Sequence, residues 1–310
     1  MKIDVHQHIW TAPLLEALTR RAELPFVRLE HDLTVLFLAG ERPYVIDRNG
    51  EAAARRAALL QTDGLDGALV CLSSPVGIET LPREQSLELI DAYHEGALGL
   101  GDPFGVWGAI ALDRPDPADI DRALDLGCVG ISIPAGALGG FEQLARLHPL
   151  LRRLSERDAP LLIHPGPGGP LIAGETSLGD PLWWPALTRY LAEMQAAWLS
   201  FVCVGRRSHP ELRVVFAMLA GLAPLQYERL CARGGPVGSH EDRRIFYETS
   251  SYGPSAVQKL TELLGAEQIL YGSDRPVIDP NSMIAISRLD SDRLAESTRE
   301  MLGETCVVAR

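Results

Sequence analysis

Short apolar runs rich in Val, Ile and Leu recur along the chain, each followed by a stretch whose apolar residues return every three or four positions. The first kind predicts strands buried on both faces, the second helices that cover them. Strands are expected at residues 2–8, 67–74, 106–113, 129–134, 160–164, 212–218, 244–250 and 268–274. Helices are expected at 52–61, 83–97, 117–125, 141–157, 185–206, 224–233, 254–264 and 290–302. Successive strand-helix units predict an α/β chain closed into a single (β/α)8 TIM barrel, with chemistry collected at the C-terminal strand ends. An open doubly wound sheet would need a glycine-rich turn after its first strand. Here that strand ends in histidines.

Two connections break the rhythm. Within 10–49, alternation at 26–30, 34–39 and 44–47 predicts a small antiparallel excursion after strand 1. Residues 166–184 form a Gly/Pro-rich loop after the fifth strand, placed to shape a substrate pocket. Interleaved prolines argue against its cradling a phosphate. A barrel can fill the whole length as one unit, so residues 1–310 are expected to form one domain.

Composition narrows the partners. A net charge of -12 disfavours nucleic acid and anionic membrane surfaces, which require a basic face. No apolar run reaches the ~18 to 20 residues of a membrane span. Asp4, His6 and His8 interrupt any signal-peptide core. The cysteines are scattered without a CxxC pair, which fits reduced thiols in a cytoplasmic protein, mostly buried as small hydrophobes.

Against this background the opening MKIDVHQHIW carries chemistry. Residues i and i+2 of a strand share a face, so His6 and His8 project together and can grip one divalent ion. An isolated HxH is more often incidental. His164, however, closes LLIHPG, and Asp274 closes ILYGSDRP, where an inward carboxylate is costly unless paired or metal-bound. Four potential ligands therefore end three strands at one face. Strands one and eight are neighbours in a closed barrel, which sets Asp274 beside His6 and His8, with His164 reaching across.

HQH, LLIHPG and ILYGSDRP together resemble the amidohydrolase superfamily, in particular its amidohydrolase-2 branch. That branch includes decarboxylases of the aminocarboxymuconate-semialdehyde and resorcylate types beside hydrolases and hydratases. The excursion after strand 1 and YETSSYG at strand 7 extend the resemblance over nearly the whole chain. It implies that His6, His8, His164 and Asp274 hold a metal, and that Asp274 also takes a proton from metal-activated water. Only Lys2 and Lys259 are lysines, so no middle strand offers the lysine that bridges two metals in some members. One divalent ion is expected, zinc first, with manganese, iron or cobalt able to replace it. The resemblance also implies a histidine at the end of strand 6, yet Met218 stands there in LRVVFAMLAG.

A thioether neither donates nor accepts a proton, so the loss bears most heavily on decarboxylation. The leading expectation is a metal-dependent hydrolase acting on a small organic acid, amide, ester or lactone. The alternatives are a non-oxidative decarboxylase of an aromatic or dienoic acid, and a non-catalytic metal- or ligand-binding barrel. Arg275 can grip a substrate carboxylate or pair with a protein acid. Trp10 and Trp184 can wall an aromatic substrate, beside Met218. Trp183, Glu248, Ser250 and Tyr252 are candidates of lower weight. His31, His94, His148, His209 and His240 are expected to be structural or solvated. The apolar stripe of 185–206 serves the core or a contact between copies, which leaves room for a homo-oligomer.

Overall fold

The computed structural model describes residues 1–169, 180–238, 241–278 and 291–303. The chain enters through β1 (Ile3–Gln7), then leaves the barrel for α1 (Ala12–Thr19) and an antiparallel sheet of β2 (Phe26–Glu30), β3 (Leu33–Phe37) and β4 (Tyr44–Ile46). It returns through α2 (Ala53–Asp63), which Gly64 ends in the left-handed region at φ 71°, as a glycine allows without a Cβ clash. The next units are β5 (Gly67–Val70) with α3 (Arg83–Leu98), β6 (Phe104–Gly108) with α4 (Pro117–Asp125), and β7 (Gly130–Pro134) with α5 (Phe141–Glu156). Asp116 caps α4 by accepting from the Ala118 N–H at 2.9 Å, with Pro117 opening the first turn.

β8 (Leu161–His164) leads to α6 (Trp184–Leu187), α7 (Arg189–Ser200) and α8 (Arg206–Ser208), with a π-helical turn over Phe201–Gly205. β9 (Val214–Phe216), α9 (Tyr227–Ala232), β10 (Ile245–Glu248), α10 (Pro254–Leu264), β11 (Ile269–Leu270) and α11 (Ser291–Leu302) complete the circuit. The parallel strands follow the order β1-β5-β6-β7-β8-β9-β10-β11. The last meets the first through Val5 N–H to Tyr271 O at 2.9 Å, Asp274 N–H to His6 O at 2.9 Å and His8 N–H to Arg275 O at 2.8 Å. The chain thus forms a nearly closed TIM barrel with a separate small antiparallel sheet, as its pattern predicts. Side chains fill the interior: Trp107 is fully buried and donates Nε1–H to Val5 O at 2.9 Å.

Three expectations differ from the structure. Residues 12–19 form a helix the pattern did not anticipate, because Leu14, Leu15 and Leu18 bury one face behind Pro13 in the first turn. The single helix expected over 185–206 is broken at Thr188 (φ -125°, ψ -80°) and relaxes into the π turn. The helix expected over 224–233 is helical as α9 from 227 only, because the chain first makes a left-handed run. Met218, Leu219, Ala220, Gly221 and Leu222 have φ of 52°, 48°, 54°, 60° and 61°. Each non-glycine residue in such a conformation costs ~1–2 kcal/mol. Full burial of Leu219 and Ala220 and the Gln195 Nε2–H bond to Gly221 O, 2.8 Å, offset that cost. Much of the loop at 166–184, together with His240 and Cys306, lies outside the described residues.

Candidate metal centre

β1 does what its spacing demands. His6 and His8 lie on one face, and their Nε2 atoms are 3.2 Å apart. His164, the last residue of β8, brings its Nε2 to 3.2 Å from that of His8. All three rings are buried, meeting nearly edge to face with centroids 4.8–5.0 Å apart. Asp274 follows β11 at φ 58° and places Oδ1 3.1 Å from His8 Nε2 and 3.6 Å from His6 Nε2. The structure therefore brings the four expected ligands together.

The opposite edge of each ring decides what the cluster can hold. Nδ1 of His6 faces the Glu248 carboxylate at 2.9 Å, Nδ1 of His8 the Cys71 carbonyl at 2.9 Å, and Nδ1 of His164 the Pro165 carbonyl at 2.7 Å. Each partner only accepts, so each neutral ring carries its proton on Nδ1. With all three rings neutral, every Nε2 presents a lone pair to the others and to Asp274, a repulsive arrangement that a cation, metal ion or proton, relieves. Two nitrogens bound at about 2.1 Å to one ion stand roughly 3.0–3.4 Å apart for right-angled to tetrahedral geometry. The observed spacing fits. Burial, reinforced by His6 and His8, holds His164 well below the usual imidazole range. Burial also works to lower His6, but Glu248 and Cys71 carry it well above that range.

Buried charges fix the strand ends. Arg56 donates Nη1–H to His8 O at 2.8 Å and Nη2–H to Gln7 Oε1 at 2.7 Å and Arg275 O at 3.2 Å, while pairing with Glu51 at 3.2 Å. Glu51 in turn accepts from the Trp10 N–H at 2.9 Å. Asp4 accepts from the N–H groups of His6 and Ser273, both at 3.1 Å. Sequence reasoning missed Glu51, Arg56 and Asp4, and gave Glu248 only a substrate role. Their signal is charge placed in apolar runs, which identifies no partner until the fold closes.

The cluster opens into a cavity of about 550 Å3, whose walls include Trp10, Leu36, Tyr44, Val76, Met218 and Tyr252. The small sheet supplies one side of it. There Glu41 is held by Arg189 Nη2–H at 2.9 Å and by the Tyr190 hydroxyl, and burial pushes its carboxyl up to about 7 against the pull of Arg189. Trp10 and Met218 stand on this wall. Arg275 does not: its Nη2–H pairs with Asp63 at 2.9 Å, so the expected grip on a substrate carboxylate gives way to the protein-acid pairing. Trp184 is also corrected, since it packs against Trp183 on the surface, half exposed and off the cavity wall. Ser250 donates to Glu248 at 2.9 Å. His94 accepts from the Ala109 N–H at 3.0 Å, and His148 and His209 bond each other at 2.8 Å, all three structural. Among the described residues, no helix is long and apolar enough to cross a membrane.

A family model described as Amidohydrolase matches residues 3–304. Solved structures of similar fold include IDCase from Metarhizium anisopliae in apo form, 17% identical with a TM-score of 0.74, covering 99% of this chain and 93% of that one. The 5-carboxyvanillate decarboxylase of Sphingomonas paucimobilis is 18% identical, with a TM-score of 0.69 and 96% of each chain covered. That of Novosphingobium aromaticivorans, with bound manganese and a nitrobenzoic acid, is 16% identical, with a TM-score of 0.64 over 97% of this chain and 92% of that one. Comparison with curated proteins returned no match.

Proposed function

Because the chain belongs to the amidohydrolase family, of the amidohydrolase-2 type, we propose that it is a metal-dependent carboxy-lyase that removes carbon dioxide from an aromatic or dienoic acid without oxidation. One observation carries this reading: the convergent donors of His6, His8, His164 and Asp274 open directly onto an apolar chamber walled by Trp10, Tyr44 and Tyr252. Such a chamber suits a flat unsaturated ring better than a hydrated polar substrate. The decarboxylases named above share the fold, and one of them holds manganese and a benzoic acid, which supports the same direction.

The three imidazoles and Asp274 would hold one divalent ion, with zinc first in keeping with the nitrogen-rich donor set. When bound, the ion would supply positive charge that holds a substrate carboxylate. Trp10, Tyr44 and Tyr252 orient the ring and exclude water from it. As the carbon–carboxylate bond breaks, its electron pair stays on the ring carbon, which takes a proton as carbon dioxide leaves. Asp274 gives that proton: it borders both the histidine cluster and the cavity, with 14% of its side chain exposed. Solvent then restores it. Met218 contributes shape and apolar contact, which a thioether can do, and leaves proton transfer to Asp274.

The test is a panel of aromatic and dienoic acids set against esters, amides and lactones, with carbon dioxide measured directly. Release of carbon dioxide from an acid supports the lyase. Cleavage confined to esters, amides or lactones returns the site to hydrolysis, and silence of the fully metallated protein on both panels favours a binding barrel.

A further inference from the structure

One metal-binding side chain next to the cluster is absent from the donor set above. Cys71 follows β5 and is 2% exposed. Its backbone is fixed twice, by its N–H to Gln7 O at 2.8 Å and by its carbonyl accepting from His8 Nδ1–H at 2.9 Å. The thiol therefore hangs from a rigid point beside the His8 ring, with Sγ 3.6 Å from its outer nitrogen, Nδ1. A ligand atom from each of His6, His8, Cys71 and His164 lies within 4.8 Å of the others. Two ligands on one ion, nitrogen at about 2.1 Å and sulfur at about 2.3 Å, stand roughly 3.1 Å apart at a right angle and roughly 4.4 Å apart when opposed. The 4.8 Å bound on the observed spread lies just above the upper end of that range.

We propose that the Cys71 sulfur is a further ligand of this metal, binding from the barrel interior while Asp274 and the substrate approach from the cavity. The inference rests on the metal-centre reading above. Cys128 supplies the contrast: it is buried to a similar degree, yet it belongs to no such group among the described residues.

Ligation breaks the S–H bond, forms a metal–sulfur bond and releases the proton to solvent. The thiolate then offsets part of the charge of a divalent ion. An ion whose charge is partly offset in this way acidifies water less, which weighs against generating a hydroxide. Sulfur also selects the softer ions, zinc or cobalt, over manganese.

The decisive measurement is X-ray absorption at the zinc edge of the full chain loaded with zinc alone. The expected first shell contains one sulfur at about 2.3 Å beside nitrogen and oxygen at about 2.1 Å. That sulfur disappears in Cys71→Ser, whose zinc affinity falls at least about tenfold while its manganese affinity holds within about threefold. With cobalt, a sulfur-to-metal charge-transfer band in the near ultraviolet appears in the wild type and vanishes in the variant. Stoichiometric zinc with a shell of nitrogen and oxygen only overturns the role of Cys71 and leaves the metal centre standing. Absence of stoichiometric zinc overturns both. The wild-type spectrum decides between these results even if Cys71→Ser does not fold.

Discussion

The Glu248 carboxylate accepts a hydrogen bond from His6 Nδ1 at 2.9 Å, across 242 residues of chain. The contact holds the ring in the tautomer that turns Nε2 toward His8, and the Ser250 hydroxyl donates to the same Glu248 oxygen, Oε2, at 2.9 Å. Partners of this kind typically tune metal affinity by about 10–100-fold. Glu248→Gln keeps the volume and removes the charge, so zinc binding should weaken by that order while the fold survives. Competition with a chelator measures the affinity, and circular dichroism checks the fold. Unchanged affinity would mean that the carboxylate has no hold on the metal.

Asp274 borders the histidines and the cavity at once, with Oδ1 3.1 Å from His8 Nε2. Asp274→Asn preserves shape but cannot exchange a proton. Turnover should fall at least about 100-fold, the typical worth of a positioned acid or base. Zinc should remain stoichiometric, because the three imidazoles still converge. Turnover and metal content measured on the same preparation separate the roles, and an active asparagine variant would move the proton donor elsewhere.

Met218 takes the place where the resemblance implies a histidine, and it lines the cavity with a thioether. If its part is shape alone, Met218→Leu, a volume-conserving exchange, should keep kcat within about threefold. A loss of 100-fold or more would assign the sulfur a chemical role that the proposed mechanism denies it.

The barrel and the convergence of its candidate ligands are legible in the sequence because both follow from local rules. Val, Ile and Leu runs mark buried parallel strands, and the two-residue strand period alone sets His6 and His8 on one face. The supporting shell is not legible that way. Glu248, Arg56 and Cys71 meet the histidines only when distant strands close side by side, and no local pattern distinguishes Arg56 from a solvated helix residue. Arg275 shows the same limit. Its neighbour Asp274 lies beside His8, but the partner of Arg275, Asp63, lies 212 residues earlier. The left-handed run from Met218 to Leu222 also escaped, because four of its five residues ordinarily avoid that conformation.

His94 provides a pH signature away from the metal. Its Nε2 accepts from the Ala109 N–H at 3.0 Å, and burial, aided by Arg122, pulls it down to about 4. Unfolded, the ring titrates near 6.5. Below that pH the unfolded chain binds a proton that the folded chain refuses until about pH 4. The contribution of His94 to stability is thus fully present above 6.5 and drains away as pH falls, by about 3 kcal/mol in all. His94→Gln can still accept from Ala109 through Oε1 and does not titrate. Urea unfolding of both proteins at pH 7 and pH 4.5 should show the wild type losing about 2–3 kcal/mol more than the variant. Acid loss of metal is common to both and cancels in the comparison. Equal losses would mean that His94 is already charged in the folded state, and the Ala109 contact would then have to break.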